Sequence, residues 1–294
     1  MFPAQFEYHR AGSVKDVLAL LKQFGDDAKL LSGGHSLLPM MKLRLAQPAH
    51  LIDIGKIDEL RQITEQGKSV VIGAACTHDQ IARSELVRGK IGLFAQCAEA
   101  IGDVQVRNRG TIGGSLSHAD PGADYPAGVL ALEAELRLQS ETGARNLKAE
   151  NFFVDIMTTA TRPGEILTQV SFAPVPTNAG YTYIKHRQPA SGFALVGVAA
   201  LVTLDRRGNF DRVRVGITGL AAKAFRAKTV ENVLEGKAPD INTISAAAAH
   251  VTDGVDPLSD IHAARGFPRR PRTYLYSPRD RSCGVSRKEI NKYV

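Results

Sequence analysis

The apolar positions of this chain fall into short blocks whose period switches between that of a helix and that of a strand. Val14, Val17, Leu18, Leu21 and Phe24 recur at helical spacing behind Ser13, which has Asp16 three residues on. A helix is therefore expected to start at Ser13 and to stop at Gly25. Residues 28–31 and 51–54 are apolar runs of strand length, so the opening is a small α/β unit. Residues 69–76 (SVVIGAAC) predict a further strand, and Thr77 with Gln80 gives a second capping signal. A helix is expected over 93–100, and a buried helix over 128–135 that runs into a strand over 136–140, with a turn at Thr142 and Gly143. A strand over 165–172 ends this half, and Pro174, Pro176, Asn178 and Gly180 form the clearest linker. Beyond it, strands are expected over 181–186, 194–204 and 212–219, with a tight turn at 206–209, followed by helices over 227–234 and 241–252. Strands followed by helices describe a separate α+β domain.

Composition narrows the class. The 294 residues are 44% apolar and 23% charged, ordinary values for a globular protein long enough for two domains. No apolar run reaches the roughly 18 residues of a membrane span, and MFPAQFEYHR lacks the basic-then-apolar pattern of a signal peptide. Cys76, Cys97 and Cys283 form no C-x-x-C pair, which leaves neither a disulfide framework nor a local iron–sulfur or zinc site. The expected setting is reducing and cytoplasmic, at most against the inner face of the membrane. The net charge of +7 lies wholly in the tail after Ala264; the body is balanced and has no basic excess to follow a nucleic-acid backbone.

The candidate chemistry sits in two glycine-centred stretches, Ser32-Gly33-Gly34-His35-Ser36 and Thr111-Ile112-Gly113-Gly114-Ser115. Adjacent glycines let backbone N–H groups approach a ligand with no Cβ in the way, and a run of such groups makes a concave anion site suited to phosphate. Two of them suggest two loops closing on one diphosphate, against the plain alternative of two ordinary turns. Neither is a G-x-G-x-x-G or a P-loop. Pro121 and Pro126 break regular structure around Asp120 and Asp124, which argues for an ordered loop. Asp120 reads as a turn former. Asp124 has the alternative of capping the helix after it, and Lys185 on its strand has the alternative of an ordinary solvated charge. Tyr183, on the same face, reads equally as core or as a ring wall.

The surroundings of both stretches, KLLSGGHSLLPMMKLRLAQPAHLIDI and GDVQVRNRGTIGGSLSHADPGADYPA, resemble the FAD-binding medium subunits of the molybdenum hydroxylases, with the carbon monoxide dehydrogenase medium chains nearest. The resemblance runs from the N-terminus to about His262. It implies an α+β fold: a two-lobed FAD-binding domain of the vanillyl-alcohol-oxidase/PCMH type over 1–176, with lobes of about 1–56 and 57–176, then a smaller α+β C-terminal domain over 177–264. It implies non-covalent FAD held by Ser32, Gly33, Gly34, His35, Ser36, Ile101, Thr111, Ile112, Gly113, Gly114, Ser115, Asp124, Leu167 and Lys185. Ile101 would lie against the isoalloxazine, Asp124 would hydrogen-bond the flavin end, and Lys185 would stand near the pyrimidine edge, where a cation favours the reduced anion.

No catalytic residue and no metal ligand is expected in this chain. The resemblance implies electron transfer through FAD to a quinone or NAD, fed by [2Fe–2S] clusters in a small subunit and a molybdenum cofactor in a large one, in a dimer of heterotrimers. The alternatives are the medium subunit of a xanthine, aldehyde or other N-heterocycle dehydrogenase, a self-sufficient flavin oxidase, or an interaction subunit that has lost its flavin. The tail 265–294, with prolines at 268, 271 and 278 and no helical apolar period, departs from the family and is expected to be the product of a shifted reading frame, against the alternative of a native basic tail.

Overall fold

The computed structural model describes residues 2–258; the tail and its expected frame shift lie outside the described residues. The first lobe is a three-stranded parallel sheet. Strand β1 (Glu7–Arg10) leads into helix α1 (Val14–Phe24), strand β2 (Ala28–Leu31), helix α2 (Leu37–Lys42) and strand β3 (His50–Asp53), in the order β1-β3-β2. Ser13 caps α1 by accepting the Asp16 N–H at 3.2 Å, and Gly25 ends it with φ +53°. The apolar stripe of α1 packs Val14, Val17 and Leu18 against Ile52, Ile54, Ile57 and Leu60.

The second lobe is a five-stranded sheet lined by helices. Strands β4 (Ile63–Gln66) and β5 (Ser69–Gly73) precede helices α3 (His78–Arg83), α4 (Glu85–Lys90), α5 (Gly92–Ala100), α6 (Val104–Arg109), α7 (Ile112–His118) and α8 (Tyr125–Ala131). Strands β6 (Glu135–Ser140) and β7 (Gly143–Lys148) form a hairpin. The short pair β8 (Phe153–Asp155) and β9 (Thr158–Thr159) follows, then β10 (Ile166–Phe172). The sheet order is β4-β5-β10-β6-β7, so the last strand of the lobe is its centre. Thr77 and Gln80 form the expected reciprocal cap of α3. The free thiols Cys76 and Cys97 are both buried.

The remaining described residues form an antiparallel sheet, β11 (Gly180–Arg187), β12 (Ala194–Leu204), β13 (Phe210–Thr218) and β14 (Phe225–Arg226), covered by helices α9 (Lys228–Leu234) and α10 (Ile241–Ala248). Strand β12 reads ALVGVAALVTL because both its faces are covered. Val196, Val198, Ala200 and Val202 pack under α9 and α10, while Ala199 and Leu201 join the core of the second lobe. Helix α8 lies so close over β13 that a Cβ on Gly216 would overlap the Ala127 carbonyl. The C-terminal sheet is thus clamped onto the helices of the second lobe, and β11 faces α5 and α8. Among the described residues, no helix is long and apolar enough to cross a membrane.

Candidate functional site

Ser32–Ser36 turns the chain from β2 into α2. Gly34 sits at φ +78°, where any side chain is strained, and a Cβ there would also stand 2.9 Å from Leu38 Cδ1. Gly33 needs to be glycine for a different reason. It lies against the backbone of Arg109 and Gly110, so that a Cβ would overlap the Arg109 carbonyl and come within 2.8 Å of Gly110 Cα. Among the described residues, the N–H groups of Gly33, Gly34 and His35 meet no acceptor, and the Ser36 hydroxyl caps nothing. Unpartnered donors on a glycine turn are what an anionic group requires.

The two stretches are not alike, which corrects the expectation of a second loop with open N–H groups. Thr111 is the N-cap of α7, and its Oγ1 accepts the Gly114 N–H at 3.2 Å. The Ile112 N–H goes to Cys76 O at 3.1 Å, that of Gly113 to Ala74 O at 2.8 Å, and that of Ser115 to Thr111 O at 3.0 Å. Every one of these donors is spent inside the chain. Gly113 is glycine because α7 rests directly on Ala74, whose Cβ would lie 2.6 Å from an added methyl. What this stretch leaves open is the exposed backbone face of Gly114 and the Ser115 hydroxyl. The structure does bring the stretches together: Thr111 Oγ1 donates to Ser32 Oγ at 3.0 Å, across 79 residues of chain.

Two other candidate residues, Asp124 and Lys185, belong to a buried charged cluster. Lys185 Nζ donates to Asp124 Oδ2 and to the Ala100 carbonyl, both at 2.9 Å, and Tyr183 OH donates to Asp124 Oδ1 at 2.6 Å. The side chains of Lys185 and Asp124 are only 6% and 3% exposed, so Lys185 is no solvated charge. Asp124 sits at φ −77° and makes no cap bond to α8, which excludes its helix-capping alternative. Burial pushes the Asp124 carboxyl above the usual range, opposed by the Lys185 charge and the hydrogen bonds from Tyr183 and Lys185. Tyr183 is also pinned through its N–H to Gln96 Oε1 at 2.9 Å, and burial raises its phenol well above the ordinary value. The cluster exists because β11 alternates: residues 181, 183 and 185 share the face turned to α5 and α8.

Ile101 ends α5 and is 9% exposed. The carbonyls at that helix end are met by cations, as its dipole favours: Lys185 takes Ala100, and Arg107 Nη1 donates to Ile101 O at 2.9 Å and Gly102 O at 3.3 Å. Leu167 is buried in the centre of the five-stranded sheet opposite Leu138. The next residue, Thr168, accepts the Ala74 N–H at 2.9 Å, one step from the Ala74 carbonyl that holds Gly113. Asp120 forms the expected turn, accepting the Gly122 N–H at 2.8 Å.

One residue under the glycine stretches escaped sequence reading. His78 is buried, with Nδ1 3.1 Å from Tyr125 OH, and its Nε2 lies so close to Gly110 that a Cβ there would stand 2.5 Å away. Burial, with the charges of His35 and Arg107, lowers its pKa to about 3, so the ring is neutral. Its only sequence signal was a place inside the Thr77–Gln80 cap.

Residues 4–176 match the family model of the FAD binding domain in molybdopterin dehydrogenase, and residues 181–270 match that of the CO dehydrogenase flavoprotein C-terminal domain. The carbon monoxide dehydrogenase medium chain of Hydrogenophaga pseudoflava is 41% identical over 89% of this chain and 91% of that one. The glyceraldehyde dehydrogenase medium chain of Sulfolobus acidocaldarius is 37% identical over 92% of this chain and 95% of that one. Among solved structures, the carbon monoxide dehydrogenase from Hydrogenophaga pseudoflava lacking the Mo-pyranopterin moiety of its cofactor superimposes with a TM-score of 0.91. It is 37% identical and covers 100% of this chain and 98% of its own.

Proposed function

Because the chain belongs to the FAD-binding medium subunits of the molybdenum hydroxylases, we propose that it serves a complex oxidising carbon monoxide and passing the electrons to a quinone or NAD. Its own task is to bind FAD and transfer electrons, beside a large and a small partner subunit. In keeping with the family resemblance, we assign the assembly as a dimer of heterotrimers. When bound, FAD takes up single electrons and gives them up in pairs.

The residues fit that cofactor. The open N–H groups of Gly33, Gly34 and His35 and the hydroxyls of Ser36 and Ser115 would hold the diphosphate. Ser32 and Thr111 would act one step back, their hydroxyl bridge holding the two stretches in register. Ile112 and Gly113 would seat α7. Ile101 would shield the ring from water, and Leu167 would close the core behind it. Lys185 would place a fixed cation near the pyrimidine edge. Asp124 would hold that ammonium, and the lone pairs left on its two oxygens would accept a hydrogen bond from the flavin end. No nucleophile–base pair is needed, because the chain's work is position and electrostatics.

The observation that carries this reading is the hydroxyl bridge from Ser32 to Thr111 beside unpartnered glycine N–H groups. Denaturing the purified chain should release one FAD per polypeptide, and Gly34→Val should abolish that flavin while the far-ultraviolet circular dichroism is kept. Stoichiometric FAD in Gly34→Val would overturn the diphosphate assignment. In the assembled complex, carbon monoxide should bleach the flavin absorbance where glyceraldehyde does not; the reverse would move the substrate to the aldehyde class. Turnover of substrate by the isolated, FAD-loaded chain would instead support a stand-alone oxidase.

A further inference from the structure

The parallel ladder at the edge of the first lobe assembles three donor groups that the flavin chemistry does not use. Glu7 pairs with His50 across β1 and β3, and His9 lies two residues on from Glu7, so all three side chains leave the sheet on one face. His9 Nε2 lies 3.1 Å from His50 Nδ1. Glu7 Oε2 lies 3.5 Å from His50 Nδ1 and 3.8 Å from His9 Nε2. Phe24, from the end of α1, stacks on His50 at 3.7 Å between ring centroids and tilts against His9 at 4.8 Å, which fixes both imidazoles.

Two of the three distances among Glu7, His9 and His50 are too long for hydrogen bonds, yet three lone-pair-bearing atoms converge within 4.8 Å of one another. In a tetrahedral site with bonds of about 2.0–2.1 Å, neighbouring ligand atoms stand about 3.3 Å apart, which the observed separations bracket. Two imidazoles and one carboxylate are a donor set suited to zinc-class ions. The imidazole side chains are about one-fifth exposed and Glu7 is open to solvent, so an ion has an entry path and a water can complete its shell.

We propose that Glu7, His9 and His50 bind one divalent transition-metal ion of the zinc class, which pins the N-terminal strand β1 to β3. This goes beyond the FAD assignment and departs from the expectation of no metal in the chain.

The test is calorimetric titration of tag-free full-length protein with Zn²⁺, together with its thermal unfolding. One equivalent should bind with a dissociation constant of about a micromolar or tighter, and the unfolding midpoint should rise with Zn²⁺. His50→Ala and Glu7→Gln should each weaken binding at least tenfold; Glu7 is exposed, so its variant keeps the fold should His50→Ala unfold. His250→Ala, which removes the separate His250–Asp253 pair, should leave the affinity unchanged. Co²⁺ in place of Zn²⁺ should give the visible absorption of a four-coordinate ion. Binding weaker than about a millimolar, or binding unaltered in Glu7→Gln, would overturn the proposal and leave a hydrogen-bonded imidazole pair.

Discussion

At the scale of single residues, the buried Lys185–Asp124 pair and the neutral His78 set the strongest expectations. Lys185→Met strands a carboxylate that is 3% exposed, and removing one partner of a buried pair costs about 3–5 kcal/mol. Asp124→Asn relieves the stranded charge, so Lys185→Met/Asp124→Asn should recover at least half of that loss in urea unfolding. Simple additivity of the two single changes would refute the coupling. His78 makes a pH prediction whose sign is fixed by burial. Its folded pKa of about 3 lies below the ordinary 6.5, so the unfolded chain takes up the proton first as pH falls. The stability it protects is whole above pH 6.5 and is lost as the pH falls towards 3. Between pH 6.5 and 5 that amounts to about 2 kcal/mol. His78→Gln should flatten the unfolding free energy across this window; an unchanged slope would mean that His78 is accessible to protons in the folded state.

Among the elements, legibility followed burial. Strand β12 and helix α1 could be read because their apolar periods face packed cores, and Ser13 and Gly25 mark the helix ends chemically. Strand β1 carries no strand signal in the sequence because Glu-Tyr-His-Arg has no apolar face: its pattern records side-chain clustering at a sheet edge, not core. Strand β7, a polar edge, and α6, all of whose residues are at least partly exposed, failed to register for the same reason. The second glycine stretch reads as a loop because glycine counts against helix, yet α7 begins there and uses Gly113 to rest on Ala74. At the site, residue types were legible, but not the partnerships Thr111–Ser32 and Lys185–Asp124, which span 79 and 61 residues. The glycine contrast can be tested. Gly33→Ala drives a methyl into backbone of the other lobe and should lower the unfolding midpoint and the FAD content together. Gly114→Ala meets only the Thr111 hydroxyl, at 2.9 Å, and should be the milder of the two. Equal effects would show that the Gly33 contact does not hold the lobes together.

For the whole molecule, the question is what fixes the C-terminal sheet on the second lobe, since the proposed site draws Lys185 from one and Asp124 from the other. Close packing of α8 on β13 supplies shape, and a charged lattice supplies orientation. Thr218 Oγ1 lies 2.7 Å from the carbonyls of both Pro121 and Ala123, with its one proton shared between them. Glu133, just beyond α8, receives Arg226 at 2.9 Å, Arg214 at 3.1 Å and also Arg212. Arg226 in turn holds Glu231, whose Oε1 accepts the Val215 N–H at 2.9 Å. The two carboxylates differ in depth. The Glu133 side chain is 39% exposed, and although its partial burial opposes them, Arg226, Arg212 and Arg214 keep its carboxyl below the usual range. The Glu231 side chain is 4% exposed. Screening by solvent limits Glu133→Gln to about 1 kcal/mol, an effect that should shrink in molar salt. Glu231→Gln leaves the buried Arg226 with only the exposed Glu133 as counter-ion and should cost about 2 kcal/mol, with less dependence on salt. If the lattice orients the sheet, both variants should also loosen FAD in proportion to their cost, because the Lys185–Asp124 contact spans the same boundary. Urea unfolding at low and high salt, read beside flavin retention, separates these expectations. A Glu133→Gln variant as costly and as salt-insensitive as Glu231→Gln would show that the boundary is drier than its exposure implies.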